Sequence, residues 1–288
     1  MKNIDLHLHT NASDGELTPK ELVALAIEKK MEIIAITDHD EINGIDEALK
    51  YAGGKDITII PGIEISCFEK DFSSEIDVIG IFIDHKCETM KKLSKLFKKF
   101  RVEEKNEMIT KLNSLGYVIT FEEVLQKADG SIGRPHIAKV LIEKYHEKFT
   151  TINQVFDTLI GRGKPAFVQR KKLLIKEAID AIKSAGGVSI LAHPARYIKK
   201  EMLQIITRFA DSGGIAIETD YPYDKIMKFT NSINISINIK LRKIAKEKNL
   251  LISGGSDFHD KERGSVMGVA GLEKEEFALL KAAAELQK

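Results

Sequence analysis

The chain has 288 residues, 43% of them hydrophobic and 30% charged, with a formal net charge of +1. That length allows one large domain or a domain carrying an insertion. The near-neutral charge argues against an extended nucleic-acid footprint and leaves room only for a local basic rim. No apolar run approaches the roughly 20 residues that span a bilayer. The opening Met1-Lys2-Asn3-Ile4-Asp5 lacks the apolar core of a signal peptide, so a cytoplasmic protein without membrane contact is expected. Cys67 and Cys87 lack CxxC spacing and read as reduced and unpaired.

The first predicted strand, 3–7, runs into Asp5-Leu6-His7-Leu8-His9 and then Ser13-Asp14-Gly15. Residues two apart in a strand share a face, so His7 and His9 point together and Asp5 joins them, while Leu6 and Leu8 turn toward covering helices. Thr18-Pro19-Lys20-Glu21 supplies a cap residue, a proline at the first helical position and the Glu of a capping box. Further strands are predicted at 33–37, 58–65, 77–83, 188–192, 215–218 and 250–253. Apolar runs such as Ile33-Ile34-Ala35-Ile36 suit parallel strands buried on both faces. Alternation of strands with helices predicts an α/β parallel sheet, and about seven such units close into a TIM-like barrel.

The alternation breaks between about 88 and 170, where the pattern predicts helices at 90–115, 121–128, 135–145 and 152–160. A helical insertion, 91–169, on a barrel domain made of 1–90 and 170–288 accounts for this. The basic run Gln169-Arg170-Lys171-Lys172 marks the return and reads as solvated surface.

Five of the eight histidines fall in four short clusters, three of which carry acids: the first strand, Thr37-Asp38-His39-Asp40, Ala192-His193-Pro194 and Gly255-Ser256-Asp257-Phe258-His259. Gly62-Ile63-Glu64 adds a carboxylate. Imidazole plus carboxylate without thiolate is the donor set of zinc, manganese or iron sites. His39, Glu64, His193, Asp257 and His259 all lie at or just beyond the carboxyl ends of predicted strands, and in a parallel barrel those ends share one rim. Residues far apart in sequence are therefore expected to converge on a metal centre. Asp14 is expected to reach it across a turn made possible by Gly15, and Asp5 to orient an imidazole from behind.

In order and spacing these motifs resemble the polymerase-and-histidinol-phosphatase (PHP) superfamily along nearly the whole chain. The likeness is closest to its stand-alone branch related to the nucleoside 3',5'-bisphosphate phosphatases. Members of that branch carry a helical insertion and a Gly-Arg-Pro-His segment, here Gly133-Arg134-Pro135-His136. The resemblance implies a distorted seven-stranded (β/α) barrel holding two or three divalent ions (Mn2+, Fe2+ or Zn2+). One ion would take His7, His9, Asp257 and Glu64; a second Asp14, His39 and His259; a third Glu64, His193 and a residue of the fourth strand. There the family usually has a histidine, whereas this chain has Asp77 before Val78-Ile79-Gly80. Asp77 is expected to shift that position toward manganese or iron. Cys67 is read as a nearby core thiol.

Adjacent divalent ions generate a metal-bound hydroxide near neutral pH and clamp phosphoryl oxygens. The expected activity is hydrolysis of nucleotide phosphate esters. The favoured reaction is release of the 3'-phosphate of nucleoside 3',5'-bisphosphates, and the resemblance implies trimming of short 5'-phosphorylated RNA or DNA oligonucleotides as a secondary activity. His193 or a metal-bound water is expected to protonate the leaving oxygen. Arg134, with its planar fork, is the candidate for holding phosphate, aided by His136, and Arg196 for a second phosphate. Tyr221 and Tyr223 fit rim packing better than base stacking. Histidinol-phosphate hydrolysis and a non-catalytic metal-binding barrel are the competing readings, and no obligatory protein partner is expected.

Overall fold

The computed structural model describes residues 2–128, 132–260 and 265–287. The chain divides into two compact units, Met1–Ser94 with Leu173–Lys288, and Lys95–Lys172.

The first unit is built on one seven-stranded sheet whose strands follow chain order. They are β1 (Ile4–Asp5), β2 (Ile33–Ile36), β3 (Thr58–Cys67), β4 (Ile76–Ile81), β5 (Val188–Leu191), β6 (Ala216–Asp220) and β7 (Leu251–Gly254). Pairing is parallel from β1 to β3 and from β5 to β7, but β4 runs antiparallel to both neighbours. This corrects the expectation of an all-parallel sheet. The cause lies in the connection, since only residues 68–75 join β3 to β4. Parallel neighbours need a crossover of about a dozen residues or more, and so short a link allows only reversal.

The ring is completed between β1 and β7. Leu6 N–H donates to the Gly254 carbonyl at 3.3 Å and His9 N–H to the Phe258 carbonyl at 3.0 Å, with one parallel bridge pairing Leu8 and Phe258. The sheet is thus a nearly closed, distorted barrel. An apolar cluster gathers Ile4, Ala35, Ile60, Ile79, Ile81, Val188, Ile190 and Ala216 from six strands and packs them with Leu272, Leu280 and Ala284.

The helices around it are α1 (Pro19–Glu28) and α2 (Ile45–Ala52), the start of α3 (Glu88–Ser114), and, after the second unit, α7 (Ile175–Ser184), α8 (Met202–Asp211), α9 (Tyr223–Ile226), α10 (Asn231–Glu247) and α11 (Lys274–Glu285). At α1 the expected capping box is present. Thr18 Oγ1 accepts Glu21 N–H at 3.2 Å and Glu21 Oε2 accepts Thr18 N–H at 2.9 Å.

The second unit is helical. It holds the rest of α3, α4 (Phe121–Leu125), α5 (Arg134–Lys144) and α6 (Ile152–Val155), which a π turn continues through Phe156–Ile160. Its own core includes Met108, Leu112, Val124, Ile137, Leu141, Val155 and Ile160. Among the described residues no helix is long and apolar enough to cross a membrane.

Candidate metal centre

Each strand delivers its residues to one rim by a local cause. Beyond β1 the extended chain carries His7 and His9 inward on one face, their rings 5.1 Å apart, while Leu6 and Leu8 are buried. β3 overruns its parallel neighbour, so Glu64 lies inside the strand and bridges His39 beyond β2. Because β4 is reversed, Asp77 reaches the rim from the amino end of its strand, opposite Ser66. His193 after β5 and Asp257 after β7 both adopt left-handed backbone, with φ 32° and 53°. That conformation is sparsely used by residues with a side chain, and it turns the chain sharply at the rim. Gly255 allows the tightest approach: a Cβ there would stand 2.4 Å from the His7 Cβ and 2.6 Å from its nitrogen. At Gly15 the obstacle would be the His9 carbonyl oxygen, 2.5 Å away, so the turn bearing Asp14 depends on a missing side chain.

Four atoms form the innermost cage. Glu64 Oε2 lies 3.2 Å from His7 Nε2 and 3.3 Å from His9 Nε2. Asp257 Oδ1 lies 3.4 and 3.2 Å from the same two nitrogens. His7 Nε2, both ring nitrogens of His9 and Glu64 Oε2 are buried without a hydrogen-bond partner among the described residues. Stranding such atoms costs about 1–3 kcal/mol each, so a cage of them is built for something else. Donors about 2.0–2.1 Å from a tetrahedral ion stand about 3.3–3.4 Å from one another, which matches these edges.

Two neighbouring sets adjoin it. Asp14 Oδ1 is 3.2 Å from His259 Nε2 and 3.8 Å from His9 Nδ1. His9, Asp14, His39 and His259 offer donor atoms all within 4.8 Å of one another. His193 Nε2 lies 3.2 Å from Glu64 Oε1, and His7, Glu64 and His193 form another group within the same limit. Asp77 groups with His39 and Glu64, but stands 4.0 Å from His193 and takes a 2.9 Å hydrogen bond from Ser66 Oγ. The structure therefore gathers all nine expected ligand residues at one place. Their nitrogen and oxygen donors, with no thiolate, fit divalent ions of the zinc, manganese or iron kind.

The supports behind the cage are less visible in the sequence. Glu218, on β6, faces His7 Nδ1 at 3.1 Å and accepts His193 N–H at 2.8 Å. Tyr221 Oη donates to Asp257 Oδ2 at 2.7 Å, and Arg196 meets the same oxygen at 3.2 Å. Asp257 is thereby held by one oxygen and presents the other. Asp5, expected to orient an imidazole, instead accepts the backbone N–H groups of Ser256 and Gly268, each at 2.9 Å. The carboxylate that faces an imidazole from behind the cage is Glu218. Its signal, an acid at the end of a predicted strand, was present, but nothing in the sequence gave its direction. Tyr221 and Tyr223 are buried with rings 4.6 Å apart, which leaves neither face open to stacking on a base.

Electrostatics follow from burial against charge. Desolvation opposes protonation of His7, yet Glu64, Glu218 and Asp257 outweigh it and raise its pKa well above the ordinary value. His9 is likewise pushed up to about 10, by Asp257 and Glu64 against its burial. Burial works against the ionised forms of Glu64 and Asp257 as well, but the surrounding histidines hold both well below the usual carboxylate range. His259 goes the other way: burial and the neighbouring His9 lower it. Burial alone carries Asp5 up to about 6 against its hydrogen bonds.

Arg134 and His136 open α5 in the second unit. The Arg134 guanidinium lies over the rings of Phe156 and Phe167, 5.5 and 5.8 Å from their centroids. His136 Nδ1 accepts Gly133 N–H at 2.9 Å. Cys67 is buried at the end of β3, with its thiol toward the Ile65 carbonyl.

Comparison with known proteins agrees with this geometry. A model of the PHP domain matches residues 5–190. A 5'-3' exoribonuclease of Haemophilus influenzae is 35% identical over 261 residues, covering 90% of each chain. A 3',5'-nucleoside bisphosphate phosphatase of Chromobacterium violaceum is 30% identical, over 90% of this chain and 88% of that protein. The structure of an amidohydrolase from C. violaceum, with bound sulfate and no metal, superposes with a TM-score of 0.77 at 27% identity, over 98% of this chain and 96% of that one.

Proposed function

This chain belongs to the PHP domain family, and from that membership we infer that it is a metal-dependent phosphoesterase acting on nucleotide esters. We propose two substrates for the one site: nucleoside 3',5'-bisphosphates, which lose the 3'-phosphate, and short 5'-phosphorylated oligonucleotides, which are trimmed. In both, water adds to phosphorus and the 3'-oxygen departs. Support comes from relatives similar to this chain that are named a 5'-3' exoribonuclease and a 3',5'-nucleoside bisphosphate phosphatase. The observation that carries the reading is the buried cage of His7, His9, Glu64 and Asp257, in which His7 Nε2, His9 Nε2 and Glu64 Oε2 lack hydrogen-bond partners among the described residues.

His7, His9, Glu64 and Asp257 would hold one ion, Asp14, His39 and His259 a second, and Glu64, His193 and Asp77 a third. Bound divalent ions would supply Lewis acidity, activating water and neutralising phosphoryl charge. The chain's own groups do the rest. Glu64 offers Oε2 to three imidazoles and Oε1 to His193, which ties the three positions together. That contact at His193 Nε2 favours a ligand role for this residue over delivery of a proton to the leaving oxygen. Arg196 lies 3.2 Å from Asp257, and that nearness to the cage supports assigning its guanidinium to a second phosphate. Arg134 and His136 are assigned to phosphate on their motif and donor character.

The test compares phosphate release from adenosine 3',5'-bisphosphate, mononucleotide release from a 5'-phosphorylated oligoribonucleotide, and hydrolysis of histidinol phosphate, each with manganese, iron or zinc. Turnover of the first two and little of the third is expected. Rapid hydrolysis of histidinol phosphate alone would overturn the substrate class. A metal-loaded protein inert toward all three would support the non-catalytic barrel.

A further inference from the structure

We propose that Glu218 is a positioning residue that aims two histidines of the metal centre at once. The inference rests on the reading that His7 and His193 hold ions. Glu218 sits in β6 where the ladder to β7 shifts register, between Glu218 and Asp220. Such irregularities bend a strand and re-aim its side chains. Here the carboxylate is fully inside the barrel rim, with a side chain 1% exposed.

Its two oxygens do separate work. Oε1 lies 3.1 Å from His7 Nδ1, so the ring's proton belongs at Nδ1 and its lone pair at Nε2. Nε2 is the atom that faces Glu64 and Asp257 at 3.2 and 3.4 Å. Oε2 accepts the backbone N–H of His193 at 2.8 Å. His193 has φ 32° and ψ 59°, a backbone conformation that side-chain-bearing residues seldom hold without support. With that backbone pinned, His193 Nε2 faces Glu64 Oε1 at 3.2 Å. One buried carboxylate therefore sets a tautomer on one strand and a backbone turn on another. His7 and His193 lie in the same donor group with Glu64, so both ends of the arrangement meet at one place.

Only a carboxylate offers an acceptor in both directions. An amide of the same shape accepts at one atom and presents N–H groups at the other, and one of the two donors would then face a donor. Glu218→Gln thus removes the double acceptor while keeping the volume.

The experiment measures zinc affinity of the full chain by competition with a chromophoric chelator, for the wild type and E218Q. Long-range 15N–1H spectra of the zinc-loaded, 15N-histidine-labelled protein accompany it. Affinity is expected to fall about 10- to 100-fold in E218Q, the range found when partners behind ligating histidines are removed. In the wild type the His7 ring is expected to show a protonated Nδ1 and a zinc-shifted Nε2. A merely structural carboxylate would lower thermal stability yet leave zinc affinity and the His7 pattern unchanged, and that result overturns the proposal. Should E218Q fail to fold, the wild-type spectrum decides alone, since zinc on Nδ1 would overturn it too. A wild-type chain that takes up no zinc, manganese or iron would overturn the metal reading itself, a result distinguishable from the others.

Discussion

Both oxygens of Glu64 face imidazoles, Oε2 those of His7, His9 and His39 and Oε1 that of His193. Glu64→Gln replaces one acceptor by a donor at the point where the metal positions meet. It is expected to reduce bound metal, measured by elemental analysis, and kcat/KM for the bisphosphate, each by more than about 100-fold. Asp257 tests the supports in a milder way. Tyr221→Phe keeps the buried ring but strips the hydroxyl from Asp257 Oδ2, leaving Arg196 as its neighbour there. Loss of a hydrogen bond to a buried charged group is worth about 1.5–3 kcal/mol. The urea midpoint of Y221F should fall accordingly, with weaker metal binding beside it. Much of this layer was legible in the sequence, because strand periodicity puts His7 and His9 on one face and acids stand close to every histidine of the site except His193. The supports were not. Asp5 and Glu218 look alike as acids near strand ends, and only the course of the chain around the barrel decides that one clamps backbone and the other an imidazole. Tyr221 gave no hint at all, since its role depends on a hydroxyl reaching another strand.

At the scale of elements, the strands could be placed to within a residue or two because their apolar runs end at polar motifs. The direction of β4 could not be read that way, as the run Ile76-Asp77-Val78-Ile79-Gly80-Ile81 looks the same buried in either sense. The link at 68–75 held the answer, since its length excludes a crossover helix. Direction matters for chemistry: in a parallel β4, Asp77 would lie at the opposite rim. Two substitutions probe how the elements are set. Thr18→Ala removes the cap of α1 and should cost about 1 kcal/mol in the denaturation midpoint without changing kcat/KM, because the capping box touches only its own helix. Gly255→Ala inserts a methyl against the His7 backbone. Overpacking of that kind costs about 1–3 kcal/mol, and here it should also weaken metal binding, since the displaced chain carries both His7 and Asp257.

For the whole molecule, ion binding and folding are linked. Chelation should lower the melting temperature in calorimetry, and restoring an ion at 100 times its dissociation constant should return about 2.7 kcal/mol. Imidazoles must be neutral and carboxylates ionised to hold an ion, so the gain should shrink as pH falls. An unchanged melting temperature on chelation at neutral pH would contradict this coupling. The seam between β1 and β7 adds a further consequence. It is closed by one bridge, a few backbone bonds and the Asp5 carboxylate, whose bond to Ser256 joins positions 251 apart. A ribosome delivers His7 and His9 well before Asp257 and His259. A nascent chain therefore carries imidazoles long before it owns a finished cage, and prematurely terminated polypeptides lack the residues that complete it. A complete cage therefore arrives only with β7 and the residues beyond it, and half-synthesised molecules cannot assemble one.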